Sequence, residues 1–362
     1  MKITKIRLER RTLPLDPPFV AAWDPSPRTS FEATLVFVET DEGPVGIGSG
    51  DTMDGFEPHE HHFLGQNALD LAHHQAIIEM LARHEPGERY WPLEAAFWDL
   101  AGKAEGKPVV ELLGGAPGSV QAYASTGVQL PPAERAESAL ALRAEGFRAL
   151  KLRIDRGRVD EGLAAVRATR EAVGDSMEIM VDLNQGWRMP GDSSRPLEQA
   201  AVRELAAELR ELDVLWLEEP LPREDMAGYA QLRKETGLRI AGGEMAETAA
   251  ELEAFEEADA LDVYQPDVVL SVGLSRALEV GRRVIDRGRW FTPHTWTNGI
   301  GLLANLHVVL AAGGGPYVEY PYDPPHWTPA RRDFVLSEPI LARDGCVMSP
   351  RRPGLGFELA DG

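Results

Sequence analysis

The sequence predicts an α/β protein, a parallel barrel with an α+β unit in front of it. Three observations carry the prediction. From about residue 118, short strand-like runs alternate with longer helix-like runs, the pattern of parallel strands joined by crossover helices. Eight such strands follow in order: VQAYAST, RALKLRI, EIMVDLN, VLWLEEP, LRIAGGE, LDVYQPD, RWFTPHT and YVEYP. Their interiors are apolar, while nearly every one ends on an ionisable side chain. In barrels of this kind the active site lies at the C-terminal strand ends.

Taken in order, residues 1–115 read as the α+β unit. Two strand-like runs, KITKIRLERR and TLVFVETDEGPVGIGSG, flank a Pro-rich stretch, PLDPPFVAAWDPSPRTS, expected to be a loop or lid. Two helical runs follow, NALDLAHHQAIIEMLARH and WPLEAAFWDLAGKAEGKPVVELLG. Residues 116–325 hold the barrel, with helical runs such as DEGLAAVRATREAV and EQAAVRELAAELREL between its strands. Residues 326–362 lack the alternation and are expected to return to the first unit.

Composition limits the function classes. The chain has 362 residues and a net charge of -21, which argues against binding to nucleic acid or an anionic membrane. A local basic patch can still hold a small anion. The single cysteine, Cys346, excludes a disulfide within the chain and fits a reducing compartment. It reads as an inert thiol where a turn enters a strand. The N-terminus alternates like a strand, without the apolar core of a signal peptide. No apolar run reaches the ~18 residues of a membrane span. A cytoplasmic location is expected.

The strand ends carry the chemistry. Strand two offers Lys151 and Arg153, at i and i+2 and therefore on one face. Strand three offers Asp182 and Asn184, strand four Glu218 and Glu219, and strand five Glu244. Strands six, seven and eight offer Asp267, His294 and Glu319. Asp182, Glu218 and Glu244 stand on consecutive strands, whose spacing of ~4.8 Å lets their tips converge. Three carboxylates so close repel one another unless a hard cation neutralises them, and oxygen ligands with open positions suit Mg²⁺. Strand alternation lets one of the Glu218–Glu219 pair face inward, and Glu218 is the expected ligand. An Asp267 beside His294 would orient the ring and support a general base near neutral pH.

These residues resemble the enolase superfamily, in particular its mandelate racemase subgroup. The resemblance rests on KLR, VDLNQ, WLEEPL, AGGE, QPD, PHT and VEYP in successive strands, and on AAFWDLAGKAEGKPVVELLGG before the barrel. It covers nearly the whole chain. The muconate-lactonising type would place a lysine at strand six, where this chain has Asp267. The resemblance implies a modified (β/α)₇β TIM-type barrel capped by an α+β domain built from both termini. It implies one Mg²⁺ ion, a small carboxylate substrate, and removal of the proton next to the carboxylate through an ene-diolate. By family position, Lys151 stabilises that intermediate, Glu319 hydrogen-bonds it from the other side, and Asn184 contacts the substrate or the residues around it.

Arg153 narrows the reaction. Racemising members have a lysine there as a second base, whereas an arginine is effectively always protonated. One base, His294, suffices for β-elimination of water, so dehydration of an aldonate or aldarate to a 2-keto-3-deoxy acid is expected. The alternatives are a racemase or epimerase, in which Arg153 merely contacts substrate, and a non-catalytic metal-binding barrel. Trp23, Asp51 and Met53 in the first two loops, and Trp187 and Arg188 in the long segment QGWRMPGDSSRPLEQ, are candidate substrate contacts. His59, His61 and His62 read as a polar loop entering a helix rather than a second metal site. The resemblance further implies a homo-oligomer, a dimer or an octamer.

Overall fold

A computed structural model describes residues 1–50, 52–84 and 89–361. Strands β1 (Ile3–Phe19), β2 (Arg28–Thr40) and β3 (Gly46–Ser49) form an antiparallel sheet in that order. The Pro-rich loop expected from the sequence is shorter than its composition suggests, because β1 continues through Pro14, Pro17 and Pro18 to Phe19. As an edge strand, β1 tolerates residues that lack an N–H donor. The second strand-like run, in turn, is broken between Thr40 and Gly46, where Gly43 takes φ +87°.

Helices α1 (Leu71–His84), α2 (Trp91–Glu105) and α3 (Val109–Leu112) follow. Helix α2 begins with a proline in its first turn and ends on left-handed Gly106, the usual start and stop signals. It lies directly on β3. A Cβ at Gly46 would come within 2.2 Å of the Ala96 carbonyl, and one at Gly48 within 2.0 Å of that of Pro92. Those two glycines set how closely helix and sheet approach.

The barrel strands are β4 (Ser119–Ser125), β5 (Ala149–Arg153), β6 (Glu178–Asp182), β7 (Val214–Glu218), β8 (Arg239–Gly242), β9 (Val263–Tyr264), β10 (Trp290–Phe291) and β11 (Val318–Pro321). They pair in parallel in the order β10-β9-β8-β7-β6-β5-β4-β11. Helices α4 (Pro132–Ala144), α5 (Val159–Val173), α6 (Gln199–Glu211), α7 (Met226–Thr236), α8 (Ala249–Glu257), α9 (Gly273–Asp286) and α10 (Gly299–Ala312) separate them. The architecture is a modified (β/α)₇β barrel beside an antiparallel sheet. Among the described residues no ladder joins β10 to β11. Thr295 bridges that seam, its N–H donating to the Glu319 carboxylate and its hydroxyl to the Glu319 carbonyl, both at 2.8 Å.

Tyr123, Ala149, Met180, Trp216, Ala241, Val263 and Tyr317 fill the barrel interior. Two residues further along the chain from six of them come Ser125, Lys151, Asp182, Glu218, Gln265 and Glu319, all fully buried. Period-2 alternation thus stacks a polar layer on an apolar plug. Asp267 and His294 do not stand on ladder ends as the sequence suggests. Each lies three residues beyond a two-residue strand, because Pro266 and Pro293 have no N–H to continue the ladder.

After β11 come helix α11 (Pro329–Arg332) and strand β12 (Cys346–Met348), which pairs antiparallel with β4. The last residues reach earlier parts of the chain. Gly354 O accepts from Val109 N at 2.9 Å, and Ala360 O accepts from Arg11 Nη1 at 2.8 Å.

Buried His307 on α10 joins three of these parts. Its Nδ1 accepts from Val110 N and its Nε2 donates to Leu355 O, each at 3.2 Å. Burial depresses its pKa from 6.5 to about 4. The unfolded chain therefore binds a proton there before the folded one does, so the contribution is complete above pH ~6.5 and is lost as pH falls toward ~4. The whole loss is about 3 kcal/mol. Chemical denaturation at pH 7.5 and pH 5 should show this component, and His307→Gln should flatten the pH dependence relative to the native chain. An unchanged slope in the variant contradicts this account.

Candidate active site

Asp182 closes β6, Glu218 closes β7, and Glu244 lies two residues beyond β8. A carboxylate oxygen of each lies within 4.8 Å of the other two, and all three side chains are buried. Two backbone features aim them. Gly243 takes φ +96°, which breaks the alternation after β8 and lets Glu244 face inward. Glu219 takes φ +44°, which turns it away from its neighbour. Its carboxylate lies against Gly186, where a Cβ would come within 2.3 Å of Glu219 Oε1. Glu218 is the member of the adjacent pair that joins the triad.

Two cations project into this layer from β5. Lys151 Nζ hydrogen-bonds Glu218, lies 2.7 Å from Glu319 Oε1 and 3.5 Å from Asp182 Oδ2. Burial works against its charge, but Glu218 and Glu319 outweigh burial and hold its pKa above the ordinary lysine value. Arg153 pairs with Asp182 and donates to Asn184 Oδ1 at 2.9 Å and Thr126 O at 3.1 Å. Its guanidinium lies 4.7 Å from the Trp23 ring and 5.5 Å from the Trp296 ring. A planar fork flanked by two aromatic rings is a role that an ammonium cannot fill.

Asp182, Glu218, Glu244 and Glu319 against Lys151 and Arg153 leave two negative charges unmatched. Burial, then repulsion from Asp182 and Glu319, pushes Glu218 up to about 7 in spite of Lys151. Glu244 is likewise raised, first by burial. Its Oε1 accepts from Trp187 Nε1 at 2.5 Å, while its Oε2 is buried without a partner. A buried, converging, oxygen-only donor set with a deficit of two positive charges and an orphaned oxygen fits a hard divalent cation.

Across the mouth, His294 Nδ1 lies 3.0 Å from Asp267 Oδ2. Asp267 Oδ1 accepts from Asn305 Nδ2 and Val269 N, also at 3.0 Å. The carboxylate is therefore fixed, and as an acceptor it holds the proton on Nδ1. Nε2 remains for proton transfer, 3.8 Å from Glu244 Oε1. Burial opposes protonation of His294, but Glu244, Glu319 and Asp267 outweigh it and raise the pKa to about 9. Glu244 is the largest raising influence, so a cation on that carboxylate brings the ring back toward neutrality. Glu319 is pulled down to about 2, its burial outweighed by Lys151, His294 and Arg153. It accepts from Ser125 Oγ, Thr295 N and Lys151, so it anchors the lysine.

A cavity of about 450 Å³ opens over these groups, lined in part by Trp23, Arg153, Asn184, Trp187, His294 and Trp296. Not every candidate contact reaches it. Met53 is buried in the hydrophobic cluster of the N-terminal unit. Arg188 is exposed and lines a neighbouring cleft. Asp51 lies outside the described residues. His59, His61 and His62 form a short 3₁₀ turn, and the one metal-type cluster among the described residues is the carboxylate triad.

The family model described as enolase C-terminal domain-like matches residues 134–362. The chain belongs to the enolase superfamily. It is 31% identical to D-galactarolactone cycloisomerase of Agrobacterium fabrum over 99% of this chain and 97% of that one. It is 31% identical to arabinonate dehydratase of Saccharolobus solfataricus over 75% of this chain and 69% of that one. The structure of a racemase from Streptomyces coelicolor with bound magnesium superposes with a TM-score of 0.82 at 26% identity, over 99% of this chain and 97% of that one. Relatives of this enolase superfamily chain thus include acid-sugar dehydratases, cycloisomerases and racemases or epimerases.

Several supporting groups escape a strand-end reading. Trp216 Nε1 and Gln265 Nε2 donate to Glu218 Oε2 at 3.0 and 2.8 Å. Each stands two residues before a recognised acid, so the alternation that found Glu218 and Asp267 also marks them. Trp296, in the motif PHTWTNG, donates to Ser125 Oγ at 2.7 Å. Asn305 comes from α10 and carries no local signal.

The triad gives a direct test. Mg²⁺ at a hundred times its dissociation constant should raise Tm by about 3–4 °C, from a linkage energy of about 2.7 kcal/mol spread over a chain of this size. Glu244→Gln should abolish the rise. Melting that ignores both Mg²⁺ and EDTA excludes a metal site here.

Proposed function

We propose that this chain removes the proton adjacent to a carboxylate and expels a β-oxygen, most simply as dehydration of an aldonate or aldarate to a 2-keto-3-deoxy acid. The observation that supports it is the asymmetry of the two faces. His294 presents an unengaged Nε2, while the position opposite is an arginine held by Asp182, Asn184 and the Thr126 carbonyl. A guanidinium cannot accept a proton near neutrality, so one usable base remains. That suits elimination and leaves racemisation without a second base.

Asp182, Glu218 and Glu244 would hold one Mg²⁺, as the Streptomyces relative holds magnesium. When bound it supplies a fixed double positive charge where negative charge develops on the substrate carboxylate. Lys151, anchored by Glu319, adds a second such charge. Because these charges are preorganised, they stabilise the charge-rich transition state more than the substrate. His294 Nε2 takes the α-proton, and Asp267 holds the ring and balances the imidazolium. The electron pair left on the α-carbon forms a double bond as the β C–O bond breaks. The imidazolium then returns its proton to the departing hydroxyl, water leaves, and the enol becomes the keto acid.

A second reading replaces the hydroxyl with a ring oxygen, so that the same elimination opens a lactone or anhydro sugar. Similarity to the galactarolactone cycloisomerase along almost the whole of both chains supports it.

A library of aldonic, aldaric and lactone acids, screened with Mg²⁺ in D₂O, separates these reactions. A keto acid carrying one deuterium at C3 is expected, with water lost from an open-chain acid or a ring opened in a lactone. His294→Asn should lower kcat by about 10²–10⁴-fold. Deuterium at the α-carbon with inversion and no keto acid would mean that a second base exists, and the proposal would be wrong.

A further inference from the structure

The chain is strongly acidic, with a net charge of -21, yet a cleft beside the reaction cavity is lined by arginines. It measures about 430 Å³ and, among the described residues, presents Arg89, Arg188 and Arg223 with Glu224 as the one acidic lining residue. Trp187 and Met245 line both this cleft and the reaction cavity. Since Trp187 Nε1 donates to Glu244, the same indole touches the carboxylate triad and lines the arginine cleft.

The clefts differ in how their arginines are paired. On the other flank, a cleft of about 480 Å³ shares Trp23 and Asn184 with the reaction cavity. Its Arg156 and Arg158 are matched by lining acids and pair with Asp192 and Asp155. In the arginine cleft, Arg223 donates to Met245 O at 2.6 Å and pairs with Glu247, while Arg89 donates to Leu270 O at 2.9 Å and lies 3.9 Å from the same Glu247. Glu224 and Glu251 lie 3.6 and 3.7 Å from Arg223; Glu224 lines the cleft, whereas Glu247 and Glu251 do not. Arg188 is exposed and, among the described residues, has no ion-pair or hydrogen-bond partner. Its unmatched charge is felt by Arg156, whose pKa is lowered first by burial and then by Arg188.

We propose that this cleft is the subsite for a second anionic group of the substrate, with Arg188 as its specificity-determining residue. The reacting carboxylate lies at the triad and the second anion beyond the Trp187 ring. This builds on the carboxylate-directed reaction above and narrows its substrate to a dianionic acid. A terminal carboxylate and a terminal phosphate ester share the required chemistry. A guanidinium fork accepts either one in bidentate fashion.

The test compares an aldaric acid, the aldonic acid of the same configuration and the terminal phosphate ester of that aldonic acid. At least a tenfold advantage in kcat/KM is expected for one dianion over the aldonate, and which dianion wins names the source. Arg188→Gln should erase the advantage through KM, with kcat unchanged and the aldonate unaffected. Arg158→Gln, in the other cleft, should leave it intact. Equal turnover of all three acids, or an advantage that survives Arg188→Gln, overturns the subsite. If no acid is turned over, the proposed reaction fails, and the subsite is read separately by calorimetric titration of inorganic phosphate into the EDTA-treated protein. Binding weakened at least fivefold by Arg188→Gln supports it. Absent binding, or binding indifferent to that change, refutes it.

Discussion

The buried charge layer at the barrel mouth is the constraint on which the rest of the structure depends. Four carboxylates and two permanent cations share a buried volume. Desolvating so many charges is tolerable only if each is held in place and paired, since an unpaired buried charge costs several kcal/mol. Much of the surrounding architecture serves that need. Trp216 and Gln265 satisfy Glu218, Ser125 and Thr295 satisfy Glu319, and Asn305 satisfies Asp267. Thr295 has two duties, because it also bridges the barrel seam. Closing the barrel and positioning Glu319 are thus one event.

The same layer divides the labour between Lys151 and Arg153. They share a strand face, yet the lysine is a compact charge between Glu218 and Glu319, while the arginine spreads its donors over Asp182, Asn184 and the Thr126 carbonyl beneath Trp23 and Trp296. An arginine so placed cannot shuttle protons and makes the two faces of the site chemically unequal. Two groups without a hydrogen-bond partner, His294 Nε2 and Glu244 Oε2, lie in the part of the site that a substrate and a cation would share.

Much of this was legible along the chain, for a physical reason. Parallel strands buried on both faces read as apolar runs, and their period of two carries through to the polar tips. Lys151, Arg153, Asp182, Glu218 and Glu319 could therefore be read as a facing set. The reading was weaker where local chemistry interrupts the period. Pro266 and Pro293 end their ladders early, so Asp267 and His294 stand on loops. The prolines near residue 17 resembled a loop, although an edge strand accommodates them. Met53 resembled a loop contact, but its side chain packs into the N-terminal core.

By itself, the sequence determined the α/β class, the order of strands and helices, and which residue types gather at the strand tips, because periodicity and side-chain chemistry are local properties. Only the tertiary structure decided which of those groups meet. It decided that Glu218 rather than Glu219 joins the triad, through a left-handed backbone at Glu219 and a phase break at Gly243. It brought Asn305 from a distant helix to Asp267 and set Trp187 against Glu244. It left Arg188, among the described residues, without a hydrogen-bond or ion-pair partner in the cleft that this indole lines. Those outcomes depend on distances between segments far apart in the chain, which no local pattern encodes.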